Sequence, residues 1–205
     1  SFNQDEINIM ILSILGKKEL ESLLEAKYLK FNHEFERDDV RYRYRVKAYF
    51  ELSELVVTIK PTRREILPLD SQNIPPSFIQ RVSIRPENSG LVLFTGPAAS
   101  GKSSLIDALV DYNNSHANGS IFIIADSLEF YHESKQCAVR QQEIHSDINS
   151  LTEGLKSALD FNPDLVVIED IRYADVLETL MKMVDAGSLV YATLRNRSAI
   201  EAITK

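Results

Sequence analysis

Cysteine is almost missing from this chain of 205 residues: Cys137 stands alone. An internal disulfide is therefore impossible, which excludes the disulfide-stapled secreted class and fits a reducing compartment. Long apolar runs are missing too, none approaching the roughly 20 residues that cross a bilayer. The N-terminus lacks a basic stretch followed by an apolar core, so neither insertion nor export is expected from these signals. Ser1, without a Met before it, reads as a cloning or processing remnant. No internal repeat or low-complexity tract is visible. There is no excess of positive charge either. Lys and Arg number 23 against 30 Asp and Glu, a net −7, which argues against a whole-protein role on nucleic acid or a membrane surface.

What is present is enough apolar material, 44% of residues, to bury a core as one medium domain or two small ones. Two regions with different patterns point to the second arrangement. Between Asp5 and Leu24, Ile7, Met10, Ile11, Ile14 and Leu15, then Leu20, Leu23 and Leu24, recur at helical spacing on either side of Gly16. Two short helices are expected there. From Arg41 to Ala48 basic residues alternate with aromatic or apolar ones, the period of a strand, with Leu55–Ile59 as its expected partner. The alternation predicts a solvated Arg face, set against an acidic neighbour, and a buried Tyr face, in preference to a nucleic-acid surface. Pro68, Pro75, Pro76 and Pro86 then mark 67–88 as a linker broken by one short helix near Phe78–Val82. The expected domains are 1–66 and 89–205.

Beyond the linker, apolar runs at 90–95, 120–125, 165–168 and 189–193 alternate with helical patterns. That order predicts an α/β fold on a mostly parallel sheet. Gly96-Pro97-Ala98-Ala99-Ser100-Gly101-Lys102-Ser103 satisfies G-x-x-x-x-G-K-[ST] between the first of those strands and a helix. In such a loop the glycines let backbone N–H groups face phosphate, Lys102 reaches the terminal phosphates, and Ser103 is a ligand for Mg²⁺. Gly96 to Ser103, with Ser104 in the first helical turn, are thus the candidate residues for binding ATP. An N-K-x-D guanine-reading motif is absent, which disfavours a GTPase. Asp126 and Glu129 follow the 120–125 strand, and Glu169 and Asp170 follow 165–168, on the sheet edge where ligands bind in open parallel sheets. His132 and His145 have no Cys or third His at ligand spacing and are expected as solvated or core-edge residues.

Further matches carry a family resemblance. Gly90–Pro97 is similar to GLVLVTGP of the PilT/PilB/GspE secretion ATPases, the motors of type IV pili and type II secretion. Leu128-Glu129-Phe130-Tyr131-His132-Glu133-Ser134-Lys135 resembles the acidic box of the retraction ATPases, and Glu143–Asp147 and Leu155–Asp164 also match. The resemblance implies a RecA-like P-loop core behind a small α+β, PAS-like N-terminal domain, without the family's C-terminal helical domain. It implies Glu129 as the residue that orients water and Asp170, beside Ser103 at Mg²⁺, in the Walker B glutamate position. It also implies a ring hexamer or a hetero-oligomer with related ATPases, a platform protein at the inner membrane, no nucleic acid, and a cytoplasmic location.

Several positions depart from the family. Ala98 and Ala99 stand where it has Thr and Gly, and Asp170 is one methylene shorter than its glutamate, with Glu169 in place of a glycine. Ser188 and Arg195 replace two histidines, while Thr58, with Lys60 as the nearest basic residue, stands near an N-domain arginine. Arg172 is retained. Two readings stay open on this basis: an ATPase that drives pilus or secretion machinery, and a degenerate nucleotide-binding subunit with little or no hydrolysis.

Overall fold

The computed structural model describes residues 9, 11, 13–15, 17–38, 40–62, 65–144, 146–169, 171 and 174–194. The chain forms two compact units, Ser1–Arg64 and Glu65–Lys205. In the first, helix α1 (Lys17–Ala26) stops where Lys27 turns to φ 59 and gives its N–H to the Leu23 carbonyl at 2.9 Å. Strands β1 (Tyr28–Arg37), β2 (Val40–Glu51) and β3 (Glu54–Pro61) follow as an antiparallel sheet in that order. Leu52 and Ser53, both at positive φ, make the two-residue turn from β2 to β3 with the twist such hairpins need. Ile11, Leu15, Leu23 and Ala48 form the core, with Leu29, Phe31 and Val57 packed around it.

Two features of this unit depart from expectation. Strand β1 is an addition: its row Leu29, Phe31, His33, Phe35 faces Ala48, Val46, Tyr44 and Tyr42 across the ladder, and the histidine interrupts the apolar pattern. The Arg face of β2 meets the acidic neighbour that was expected, but is covered rather than freely solvated. Arg43 lies directly opposite Glu34, Nε to Oε1 at 3.2 Å, and its side chain is only 11% exposed. A cross-strand charge pair accounts for that cover. On the other face Tyr42 and Tyr44 are half-buried and stack on Phe35, with ring centroids at 5.1 and 5.7 Å.

The second unit is a three-layer α/β arrangement. Strands β4 (Gly90–Thr95), β5 (Gly119–Ala125), β6 (Cys137–Glu143), β7 (Leu165–Ile168) and β8 (Leu189–Leu194) pair in the order β4-β8-β7-β5-β6, every pair parallel. Successive side chains go to opposite faces, so the apolar runs feed two cores. Ile121, Ile123, Leu165, Val167, Leu189 and Tyr191 meet α3 (Lys102–His116), while Phe122, Ile124, Val166, Ile168, Val190 and Ala192 meet α4 (Leu151–Phe161) and α5 (Ala174–Asp185). Helix α4 is capped by Ser150, whose Oγ accepts from Glu153 N at 3.2 Å, and closed by Asn162 at φ 46.

The 67–88 stretch, expected as a linker, is built into this unit. It holds a 3₁₀ turn (Leu69–Gln72) and helix α2 (Pro76–Arg81), and Leu69 and Val82 lie in the α3-side core. A buried polar network fixes it there. Asn113 on α3 accepts from Ile84 N at 2.6 Å and donates to the Leu109 carbonyl at 2.8 Å and to Tyr191 Oη at 3.3 Å. Tyr191 in turn donates to the Val82 carbonyl. Leu69, Ile79, Val82 and Ile84 packed on the core, together with these hydrogen bonds, hold the stretch down despite its prolines.

Candidate active site

Because all five strands run the same way, the segments that follow β4, β5, β6 and β7 emerge on one edge of the sheet. The loop 96–101 leaves β4 at this edge and turns back into α3. Gly96 sits at φ 151, a conformation an L side chain rarely adopts, and a Cβ there would also lie 2.7 Å from Ser100 Oγ. Gly101 takes φ 90 immediately before the helix. Ala99 is also in the left-handed region, φ 61, where an L side chain is strained.

Lys102 folds over this loop. Its Nζ donates to the Gly96 carbonyl at 2.8 Å, to the Pro97 carbonyl at 2.7 Å and to Ser100 Oγ at 3.4 Å, which places the cation within the loop's curve. Gly101 gives α3 no side-chain cap, and no carboxylate lies in the first helical turn. The N-terminal end of a helix of 15 residues therefore presents its N–H groups and its positive dipole end beside an ammonium. Half-buried Ser103 and Ser104 stand on the same turn. The arrangement suits a compact polyanion, and Pro97 to Gly101 are exposed to receive one.

The strand ends carry the acidic groups. Exposed Asp126 and half-buried Glu129 follow β5, and half-buried Glu169 follows β7. Asp170 lies outside the described residues, as do Arg172, Arg195 and His145. Glu143 ends β6 on the same edge, buried, accepting from Ser127 Oγ at 2.9 Å, while its N–H goes to Asp147 Oδ2 at 2.8 Å. Sequence reasoning gave Glu143 no structural role, because β6 reads as Cys137-Ala138-Val139-Arg140-Gln141-Gln142-Glu143, too polar to announce a strand. Ser188 belongs elsewhere. It is buried just before β8 at the opposite edge, its Oγ donating to the Pro163 carbonyl at 2.7 Å, so the departure from histidine there concerns packing rather than the phosphate edge.

His132 is buried, not solvated. Its Nε2 lies 3.3 Å from Asp107 Oδ1 on α3, and its ring packs edge-on to Phe130 at 5.1 Å. The segment around it follows α3 downward. Asn114 Nδ2 donates to the Glu133 carbonyl at 2.7 Å, and Asn114 Oδ1 accepts from Lys135 N at 3.0 Å. Lys135 Nζ then reaches Asp111 at 2.6 Å and Ser115 at 3.0 Å. Residues 126–136 thus join β5 to β6 as a crossover without a helix of its own.

A parallel α/β sheet with a G-x-x-x-x-G-K-S loop between its first strand and first helix defines a P-loop protein. More narrowly, the chain belongs to the family described as Type II/IV secretion system protein, whose match spans residues 56–205. It is 32% identical over 200 residues to the type IV pilus retraction ATPase PilT of Pseudomonas aeruginosa, covering 98% of this chain and 56% of that relative. A twitching motility protein of Neisseria gonorrhoeae is 27% identical over 98% of this chain and 52% of its own length. Among solved structures, the pilus retraction motor PilT with bound ADP superposes at a TM-score of 0.88 and 27% identity, over 98% of this chain and 57% of that one. The ATPase DotB of Legionella pneumophila gives 0.80 at 26% identity, over 99% and 57%. The chain spans about half the length of these relatives. Among the described residues no helix is long and apolar enough to cross a membrane.

Proposed function

We propose that this chain binds ATP with Mg²⁺ at Gly96–Ser104 and serves as the nucleotide-handling part of a pilus or secretion motor. The observation that carries the reading is the position of Lys102, its ammonium held inside the 96–100 curve at the uncapped start of α3. The ADP bound by the PilT motor of similar fold supports it. Backbone N–H groups of the loop would hold phosphate oxygens, Lys102 would neutralise the terminal phosphates, and Ser103 with Asp170 would hold Mg²⁺. The metal would supply positive charge against the phosphates. Glu129 orients the attacking water from the end of β5. The assembly is a ring, a homo-hexamer or a hetero-oligomer with related ATPases, acting on an inner-membrane platform protein from the cytoplasmic side. The first unit is its PAS-like N-terminal domain.

A second reading, nucleotide binding with little turnover, is favoured by one observation: Ala99 is strained at φ 61 within the loop itself. Two measurements separate the possibilities. Titration with MgATP should give saturable binding that Lys102→Ala weakens by about a hundredfold, as expected when a desolvated, charge-assisted phosphate contact worth roughly 3 kcal/mol is removed. Unchanged affinity in that variant would sink the assignment of the site. Steady-state hydrolysis abolished by Glu129→Gln supports the motor; binding without any turnover supports the second reading.

A further inference from the structure

Glu129 sits on a segment pinned at both ends. On one side Ser127 donates to the buried Glu143 carboxylate at 2.9 Å, and Leu128 is buried behind it. On the other side His132 is held three ways. Its N–H donates to Gln141 Oε1 and its carbonyl accepts from Gln141 Nε2, both at 3.0 Å, which fixes its backbone to β6. Its ring, with a side chain only 1% exposed, reaches across to Asp107 on α3 at 3.3 Å.

The place of Asp107 gives this contact its meaning. It lies one helical turn beyond Ser103, on the helix whose first turn forms the phosphate loop's floor. Further along, Asp111, Asn114 and Ser115 continue the same line of contacts to Glu133 and Lys135. The His132 contact is the rung nearest the loop. Nδ1 of the same ring is buried and has no hydrogen-bond partner among the described residues. A buried imidazole tied through one nitrogen only is an expensive way to fill space, since an apolar side chain would leave nothing unpaired.

We propose that His132 is a positioning residue: through Asp107 it sets the placement of Glu129 relative to the phosphate loop, and it carries shifts of α3 caused by nucleotide to the segment bearing Glu129. This rests on the reading of Gly96–Ser104 as an ATP site. The contact touches neither phosphate nor water, so its effect falls on geometry and not on affinity. Misplacement by about 1 Å can cost on the order of a hundredfold in rate.

The test compares the full chain with His132→Ala, His132→Gln and Asp107→Asn by MgATP titration, by amide hydrogen exchange over residues 126–136 with and without MgATP, and by steady-state hydrolysis. In the unaltered chain MgATP should slow exchange in 126–136 by about fivefold or more. His132→Ala should lose that response and lower kcat by about tenfold to a hundredfold, with affinity changed less than about twofold. His132→Gln, whose Nε2 can still donate to Asp107, should restore most of both. Asp107→Asn, whose Oδ1 can still accept from His132 Nε2, should keep the exchange response, and urea denaturation of His132→Ala checks that its loss is not general unfolding. An Ala variant that keeps the exchange response, a Gln variant no better than Ala, or a loss of affinity matching the loss of rate would each overturn the proposal. No MgATP binding by the unaltered chain would instead overturn the reading of the site, and this role with it.

Discussion

Replacing Ala99 by glycine should stabilise this protein, against the usual effect of adding glycine to an exposed loop. Ala99 sits at φ 61, and the left-handed conformation costs an L residue roughly 1–2 kcal/mol. Glycine escapes that cost but gives the unfolded chain more freedom, worth roughly 0.4–1 kcal/mol in the other direction. The net expectation is a gain of about 0.5–1 kcal/mol. For a protein of this size, that corresponds to a Tm higher by about 1–4 °C. Ala98, next to it, has no positive φ, so Ala98→Gly carries only the entropic term and should lose about 0.4–1 kcal/mol. Urea denaturation of both variants at unchanged m-value reads the two signs directly. If Ala99→Gly loses as much stability as Ala98→Gly, the strain assigned to the loop does not exist, and the second reading of the site loses its support.

Two further predictions concern the body of the second unit. A Cβ on Gly154 in α4 would lie 2.7 Å from Ile148 Cδ1 and 3.0 Å from Ile124 Cγ2. Overpacking costs roughly 1–3 kcal/mol against a helix-propensity gain of about 1 kcal/mol, so Gly154→Ala should lose about 1 kcal/mol in denaturation and recover part of it with Ile148→Val. Burial raises the Tyr191 phenol well above the ordinary tyrosine range, the Asn113 hydrogen bond opposing this only in part. A group with a raised folded pKa contributes stability that is complete below its unfolded pKa, about 10, and is lost as the pH rises above it. Unfolding free energies from urea denaturation between about pH 9 and pH 11 should therefore fall more steeply than those of Tyr191→Phe, by up to about 1.4 kcal/mol per pH unit; parallel curves would refute the assignment.

Much of the second unit was readable from residue type alone. Strands β5, β7 and β8 are buried almost throughout and β4 is mostly half-buried, and each stands out as a continuous apolar run. The phosphate loop announced itself because its geometry requires glycines and a lysine at fixed spacing. Strands β1 and β6 were hidden for the converse reason. His33 in β1 and the Gln141-Gln142 pair in β6 break the apolar pattern, whereas β4, also at a sheet edge, keeps an unbroken apolar run. Prolines in 67–88 argued for a linker, yet Asn113 and Tyr191, distant in sequence, supply the hydrogen bonds that anchor it. The contacts of His132 were invisible in the same way, since nothing at position 132 indicates that position 107 lies beside it. Such pairings exist only once α3 has packed on the sheet.

Cys137 begins β6 with its thiol sealed at the start of the strand, 2% exposed, donating toward the carbonyls of Asn113 and Ala117. Burial, reinforced by the charge of Asp164, pushes its pKa up, so little of the reactive thiolate forms. Being the chain's sole sulfhydryl, it labels without background. The rate at which a thiol reagent modifies the native protein becomes a clock for how often the β6 edge parts from α3, the same seam along which residues 126–136 run.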